Sequence, residues 1–414
     1  MSRTIYVYEN FFSETPNFMG TLFVDVIRGG EHCSFEYDRE WLCYTTLKSH
    51  IDPYLSFYGG RQYPIANGNF GLFSDSAPDR WGRVLMDRRE RIVADKEGRK
   101  PRKLLEFDYL IGVYDEVRMG ALRFKEDKSG PFLSDDTGLS VPPWTTLRML
   151  EEASRNFEME ETTLDEKWLS QLIKPGSSLG GARPKATVMD PEGNMWIAKF
   201  PSHNDTHNVG AWEMVAHELA KLCGLNVPEA RLQSFSKYGS TFMVKRFDRD
   251  VTKRIHFASA MTLLGKTDGA SSGDGSSYLD MVSFIKSNGA NPEADILELW
   301  KRIVFNMSIT NTDDHLRNHG FILTRNGWRL SPLYDVNPVP YGNELSLNVD
   351  NDSNEISFDL AISVAKYFGI DKTSAEKTAQ NIIAIVQNNW EVLAGKCGID
   401  RNGINLMRPA FFLK

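Results

Sequence analysis

At 414 residues the chain is longer than one hydrophobic core usually serves, so two or three domains are expected. A composition of 41% hydrophobic and 25% charged residues is that of an ordinary globular protein and excludes disorder as the general state. The formal net charge of -7 excludes broad nonspecific attraction to nucleic acid, while a local basic patch survives that average. The four cysteines, Cys33, Cys43, Cys223 and Cys397, form no CxxC pair, which argues for reduced, mostly buried thiols and against a disulfide framework or zinc knuckle. The opening MSRTIYVYENFF has no basic stretch leading into an apolar one, and no apolar run approaches the roughly 20 residues of a membrane span. The cytoplasm is therefore the expected location, with no membrane partner.

From Ile5 to about Phe124 the stretches TIYVYEN, GTLFVDVIRGG and CSFEYDREWL are rich in aromatic and β-branched residues. They predict a small antiparallel sheet, with Gly29-Gly30 marking a hairpin. Within FGLFSDSAPDRWGR, Asp79-Arg80-Trp81-Gly82 reads as a helix start, and an amphipathic helix follows. Between Arg80 and Lys103 ten basic residues stand against four acidic ones (Asp87, Glu90, Asp95, Glu97), a local excess of six. A solvated face is the plain account, and contact with DNA or an acidic partner is the other. YLIGVYDEVRMGALRFKED predicts two strand-like pieces around a turn. KSGPFLSDDTGLSVPPW has the composition of a linker and places a boundary near residue 140, with a helix predicted from Thr145 to about Phe157.

In KPGSSLGGARPKATVMDPEGNMWIAKFPS, Ser177 and Ser178 precede Gly180 and Gly181, then Ala182 and Arg183. KATVMD and NMWIAKF predict two strands joined by a turn over Pro191 to Asn194. A glycine loop beside a strand lets backbone N–H groups approach phosphate oxygens. The pattern G-x-x-x-x-G-K-[ST] is absent, and a surface loop accounts for the paired glycines as well. Lys199 ends the second strand, and Glu213 follows in the amphipathic VGAWEMVAHELAKLCGL. A strand lysine held by a helix glutamate and aimed at nucleotide phosphates is one reading, and a surface lysine beside an unrelated glutamate is the other.

TFMVKRFDRD predicts an apolar strand ending in charges, where a hinge between two lobes would put Phe247 near an adenine, or where Phe247 is ordinary core. The stretch 267–277, TDGASSGDGSS, reads as a mobile insertion. Helices dominate thereafter, in YLDMVSFIKSNG, DILELWKRIVFNMSIT and EKTAQNIIAIVQNNWEVLAGKCG.

Between the second and third of these, NTDDHLRNHGFILTRNGWRLSPLYDV packs Asp313, Asp314, His315, Asn318 and His319 into seven residues and adds Tyr334 and Asp335 after an apolar hairpin pattern. Two chemistries fit. His315 and His319, four apart, could hold zinc with Asp313 or Asp314. Alternatively, Asp313 accepts a hydroxyl proton, Asn318 five positions later offers its side-chain oxygen to Mg2+, and Asp335 binds the same ion or a second one. The D-x-x-x-x-N spacing repeats that of the kinase catalytic loop, but H-R-D and D-F-G are both missing, which excludes a standard eukaryotic-type kinase.

Taken together, FGLFSDSAPDRWGR, MGALRF, SSLGGARPKA, WIAKFP, the helix around Glu213, MVKRFDR, NTDDHLRNHGF and LSPLYDV resemble the HipA-like serine/threonine kinases, toxins of bacterial HipBA-type toxin-antitoxin modules. The resemblance covers most of the chain. It implies an α+β fold with an N-terminal mixed, β-rich domain over 1–140, then a bilobal protein-kinase-like domain with its glycine-loop lobe over 141–250 and an α-helical lobe over 251–414. It implies ATP- and Mg2+-dependent phosphorylation, with Asp313 as catalytic base and Asn318 and Asp335 as metal ligands. Gly180, Gly181, Ala182, Arg183, Lys199, Lys245, Phe247, His315 and Tyr334 would surround the nucleotide, with Glu213 in support.

Ser178 matches the family's autophosphorylated serine, with Ser177 as its competitor, and phosphate there would disturb the glycine loop and shut off ATP binding. The implied partners are a small helix-turn-helix antitoxin of the HipB kind, which would supply most operator DNA binding with the basic run assisting, and a protein substrate that the sequence does not identify, the family's targets including aminoacyl-tRNA synthetases. Arg183-Pro184 stands where some members have Gln-Glu, and Lys245 where others are acidic, so the metal contacts carry over more closely than the adenine contacts. The rival reading is a catalytically silent binding protein acting as co-repressor with a DNA-binding antitoxin. Intact Lys199, Asp313, Asn318 and Asp335 favour the enzyme.

Overall fold

The computed structural model describes residues 2–27, 30–47, 49–64, 68–133, 141–159, 172, 181–251 and 253–411. Helix and sheet are mixed. The chain divides into two compact units, Met1–Asn204 with Lys245–Ala258 and Asp205–Val244 with Ser259–Lys414. The expected boundary near residue 140 falls at 134–140, outside the described residues. Among the described residues no helix is long and apolar enough to cross a membrane.

In the first unit the strands Ser2–Glu9, Asn17–Ile27, Gly30–Tyr37 and Leu122–Lys125 form an antiparallel sheet in the order third, second, first, fourth. Alternation along them buries Ile5, Val7, Leu22, Val24, Phe35 and Phe124. Ile27 pairs with Gly30, so the second and third strands form the expected hairpin. The YLIG half of YLIGVYDEV is not a strand. It belongs to the helix Glu106–Gly112, opened by Asp108 Oδ2 accepting Leu105 N–H at 3.0 Å. Four consecutive residues, Phe107 to Leu110, are buried there, and a short helix enclosed on every side carries no 3.6-residue period for the sequence to show.

The helix Arg80–Lys96 starts as expected, with Asp79 Oδ1 capping Gly82 N–H at 2.9 Å. At least three of the ten basic residues pair with carboxylates of the chain: Arg83 forks onto Glu106 at 2.6 and 2.7 Å, Arg99 pairs with Glu90 and Glu97, and Arg102 pairs with Asp108. Further on, Arg246 and Asp248, which read as the charged end of a strand, are buried. Asp248 accepts from Arg246, Arg249 and Gly120 N–H at 2.7 to 2.8 Å. Burial works to raise the Asp248 pKa, but the two guanidinium groups and Gly120 outweigh it and hold the carboxyl well below the usual range. Gly120 itself sits at φ 74, with Phe257 N 3.2 Å and His256 Nδ1 3.3 Å from where a Cβ would stand, so a larger residue here would be strained in its backbone and crowded.

Asp52, 1% exposed, accepts Tyr54 N–H and Leu72 N–H, both at 2.9 Å. Burial lifts its carboxyl to about 6 against these bonds. A carboxyl whose folded pKa lies above its unfolded value contributes stability at low pH that is lost as pH rises through the folded pKa. The stability of the first unit is therefore expected to fall between about pH 3.8 and about pH 6. Urea unfolding across that range should show this slope flattened in Asp52→Asn relative to wild type, and equal slopes would refute it.

In the second unit the helix Val209–Leu222, capped by Asn208, and the helix Pro292–Ser308 both pack against the long helix Lys372–Lys396. Trp300, Ile303, Val304 and Phe305 lie in the core, and the Trp300 indole N–H donates to Ala361 O at 2.9 Å. Ala230–Ser236 pairs with Gly239–Lys245, and Gly320–Thr324 pairs with Gly327–Leu330. The serine-rich stretch 267–277 is fixed in place, contrary to its low-complexity reading. Ser272 N–H donates to Ser346 O at 2.8 Å, Ser276 is fully buried, and Ser277 caps the helix Tyr278–Asn288. Small polar side chains that suggest disorder by composition act here as turn and cap residues.

Candidate active site

The helix Pro292–Ser308 ends two residues before Thr310, which takes a left-handed backbone at φ 51. That reversal, with Asn311 N–H donating to Asn306 O at 2.8 Å, turns the chain into the loop 311–319. A left-handed non-glycine residue costs about 1 kcal/mol or more and persists where its surroundings enforce it. Thr310 Oγ1 donates to Ala410 O at 2.8 Å.

Inside the loop two adjacent carboxylates have opposite environments. The Asp313 side chain is 80% exposed, with His315 Nε2 3.9 Å away. Its main-chain carbonyl accepts His315 N–H at 3.0 Å and Asn318 Nδ2 at 2.7 Å. With its nitrogen engaged there, Asn318 has its carbonyl oxygen as the end left for a cation. Asp314 is buried, and its Oδ2 accepts from Tyr278 Oη at 2.5 Å, Asn306 Nδ2 at 2.6 Å and His319 Nε2 at 3.0 Å. Burial would raise the Asp314 pKa, but His319 and the hydrogen bonds prevail and keep it below the ordinary carboxylate value. Burial and the facing carboxylate push Tyr278 well above its ordinary value.

The hairpin Gly320–Thr324 and Gly327–Leu330 then carries the chain to Tyr334 and Asp335. Asp295 anchors the returning strand by accepting from Arg329 Nε at 2.9 Å and Leu330 N–H at 3.2 Å. Tyr334 Oη donates to Arg317 O at 2.7 Å, which ties this segment back to the loop. Asp335 is half-buried and left-handed at φ 57.

The second unit carries Asp313, His315 and Asn318 on one loop, Tyr334 tied to that loop, and Asp335 next to Tyr334 in the chain, together with Glu213, buried in the helix Val209–Leu222. The zinc reading fails on geometry. His319 is buried on Asp314, and among the described residues no group of three or more His, Cys, Asp or Glu could hold a metal ion. One amide and one carboxylate suit Mg2+, which takes few protein ligands and completes its shell with water and phosphate.

The first unit carries the other expected nucleotide residues. Gly181 at φ 95 and Ala182 are exposed, and Arg183 Nη2 donates to Phe200 O at 3.4 Å. Lys199 ends the strand Met195–Lys199, in register with Lys185 on Lys185–Met189. Lys245 and Phe247 are half-buried, with the Phe247 ring 5.9 Å from that of Phe257. Ser177, Ser178 and Gly180 lie outside the described residues.

The sequence offers Asp314 and His319 only as possible zinc ligands and gives no role to Tyr278 or Asn306. All four are buried and joined. Asn306 within the apolar IVFNM was the signal available, because a buried amide needs a polar partner.

A family model described as the HipA-like C-terminal domain matches residues 177–390, more than half of the chain. A putative kinase of Haemophilus influenzae is 30% identical over 195 residues, 41% of this chain and 56% of that protein. The putative kinase Y4mE of Sinorhizobium fredii is 28% identical over 222 residues, 51% of this chain and 44% of that protein. The serine/threonine-protein kinase toxin HipA of Shewanella oneidensis is 24% identical over 241 residues, 51% of this chain and 55% of that protein. The chain spans about half the length of the curated relatives it matches. Among solved structures, a chain of the Shewanella oneidensis MR-1 complex of HipA, HipB and operator DNA matches with a TM-score of 0.68 at 18% identity, covering 98% of this chain and 95% of that one. That likeness is one of fold.

Proposed function

Because this chain belongs to the HipA-like family, we propose that it is a serine/threonine protein kinase that uses ATP and Mg2+ and acts as the toxin of a toxin-antitoxin module. The observation that carries the reading is the loop 313–318, in which an exposed carboxylate and an amide tied down by its nitrogen stand five residues apart on one fixed turn. A base must be reachable by substrate, whereas a metal ligand must be held, and the two side chains differ in that sense.

In this reading the substrate serine or threonine oxygen attacks the γ-phosphorus of ATP, its proton passes to Asp313, and the bond to ADP breaks. Asn318 and Asp335 would hold Mg2+, which supplies charge stabilisation at the phosphate oxygens. Lys199 acts as a point charge for the phosphates, and Glu213, buried in its own helix, is a supporting residue. His315 assists at the phosphates. Main-chain N–H groups around Gly180, Gly181, Ala182 and Arg183 line the nucleotide, and Lys245, Phe247 and Tyr334 contribute toward the base and its surroundings.

The organisation proposed with it is an N-terminal domain over 1–140 and two kinase lobes over 141–250 and 251–414. Autophosphorylation at Ser178 would silence the kinase. The proposed partners are a HipB-like helix-turn-helix antitoxin, operator DNA mainly through it, and a protein substrate of the aminoacyl-tRNA synthetase class.

The purified chain with radiolabelled ATP and Mg2+ is expected to incorporate phosphate, with the label mapping to Ser178. Lys199→Ala should raise the ATP dissociation constant about tenfold or more, the effect of losing one charge-assisted contact. An unlabelled chain, with no change in the phosphoproteome of a bacterial host on induction, would leave the co-repressor in place of the kinase.

A further inference from the structure

Within the first unit, Asp79 and Trp81 of the SAPDRWGR motif grip both ends of the segment that leaves the glycine loop. The Trp81 main-chain N–H donates to Gly181 O at 3.4 Å. Its indole N–H donates to Lys185 O at 3.1 Å. Asp79 divides its carboxylate between two tasks: Oδ1 caps the helix at Gly82 N–H, 2.9 Å away, and Oδ2 pairs with Lys185 Nζ at 3.1 Å. The Asp79 and Lys185 side chains are 2% and 3% exposed. Phe157 meets the Trp81 ring edge-on at 5.5 Å and sets its orientation.

A loop of small residues has few side chains with which to fix its own shape, so N–H groups meant to converge on a phosphate must be held from outside. Gly181 to Lys185 is held in this way, at its carbonyls by Trp81 and at its lysine by Asp79. Lys185 also stands opposite Lys199 in the strand register, so the same grip sets the strand pair that presents Lys199.

We propose that Trp81 and Asp79 are positioning residues for nucleotide binding, fixing the exit of the glycine loop and the strand pair behind it. The N-terminal segment is then part of the framework of the nucleotide site. This rests on the nucleotide-binding role argued above.

Trp81→Phe keeps an aromatic ring and the main-chain N–H, and it removes the indole donor together with part of the ring volume. Asp79→Asn keeps a cap while removing the charge that faces Lys185. In both variants amide hydrogen exchange is expected to quicken at 181–186, measured without nucleotide, and the MgATP dissociation constant from calorimetry should rise about tenfold, the scale of one lost buried hydrogen bond. Unchanged exchange at 181–186 in both variants would overturn the grip itself. Faster exchange with unchanged MgATP affinity would reduce both residues to structural props and overturn the positioning role. A wild-type chain that binds no MgATP, with exchange still faster in the variants, would overturn the kinase reading and the positioning role that depends on it.

Discussion

Asp313→Ala is expected to lower phosphate incorporation by roughly a hundredfold to ten-thousandfold, the range that general-base catalysis supplies, while leaving the fold intact. Both halves of this expectation come from geometry. The carboxylate is 80% exposed, so its removal uncovers little of the interior. The bonds that hold the loop, from His315 N–H and Asn318 Nδ2, end on the Asp313 main-chain carbonyl, which alanine retains. Thermal melting should therefore match wild type within about 1 °C, the consequence of a surface change worth a few tenths of a kcal/mol. A melt that matches wild type together with undiminished labelling would move the base elsewhere.

Asp314→Ala, one position on, should give the opposite signature. Tyr278 Oη, Asn306 Nδ2 and His319 Nε2 all lose their acceptor in the interior. Removing one side of a buried, charge-assisted network costs about 3 to 5 kcal/mol. The melting temperature should drop by roughly 10 °C, and activity should go with it because the loop loses its anchor. Asp314→Asn, which keeps one acceptor oxygen, should fall between. Comparing melts and labelling for the two adjacent positions separates chemistry from scaffold, and an Asp314→Ala melt equal to wild type would deny the network its role.

The sequence displayed most clearly what depends on local pattern. Strand alternation in the first sheet, the Asp79 helix cap and the hairpin before Tyr334 could be read because each has a period or a turn residue of its own. The spacing of Asp313, Asn318 and Asp335 was equally visible, since one loop and one hairpin separate them. What stayed hidden was pairing over distance. Nothing in the neighbourhood of Asp314 announces Tyr278, 36 positions away, or in that of Asp79 announces Lys185, 106 positions away. The helix Glu106–Gly112 was missed for a related reason, because burial on all sides erases the polar face that marks a helix. Composition also misled at 267–277, where serines that suggest a loose loop serve as caps.

The left-handed backbone at Asp335 bears on how that position can be probed. Alanine there changes two properties together, the carboxylate and the readiness of the chain to take φ near 57. Asparagine tolerates that conformation nearly as well as any side chain and discards only the charge, whereas glycine discards the side chain and welcomes the conformation. The pair of substitutions forms a natural factorial design, in which loss shared by asparagine and glycine belongs to electrostatics and loss seen with alanine alone belongs to the shape of the main chain.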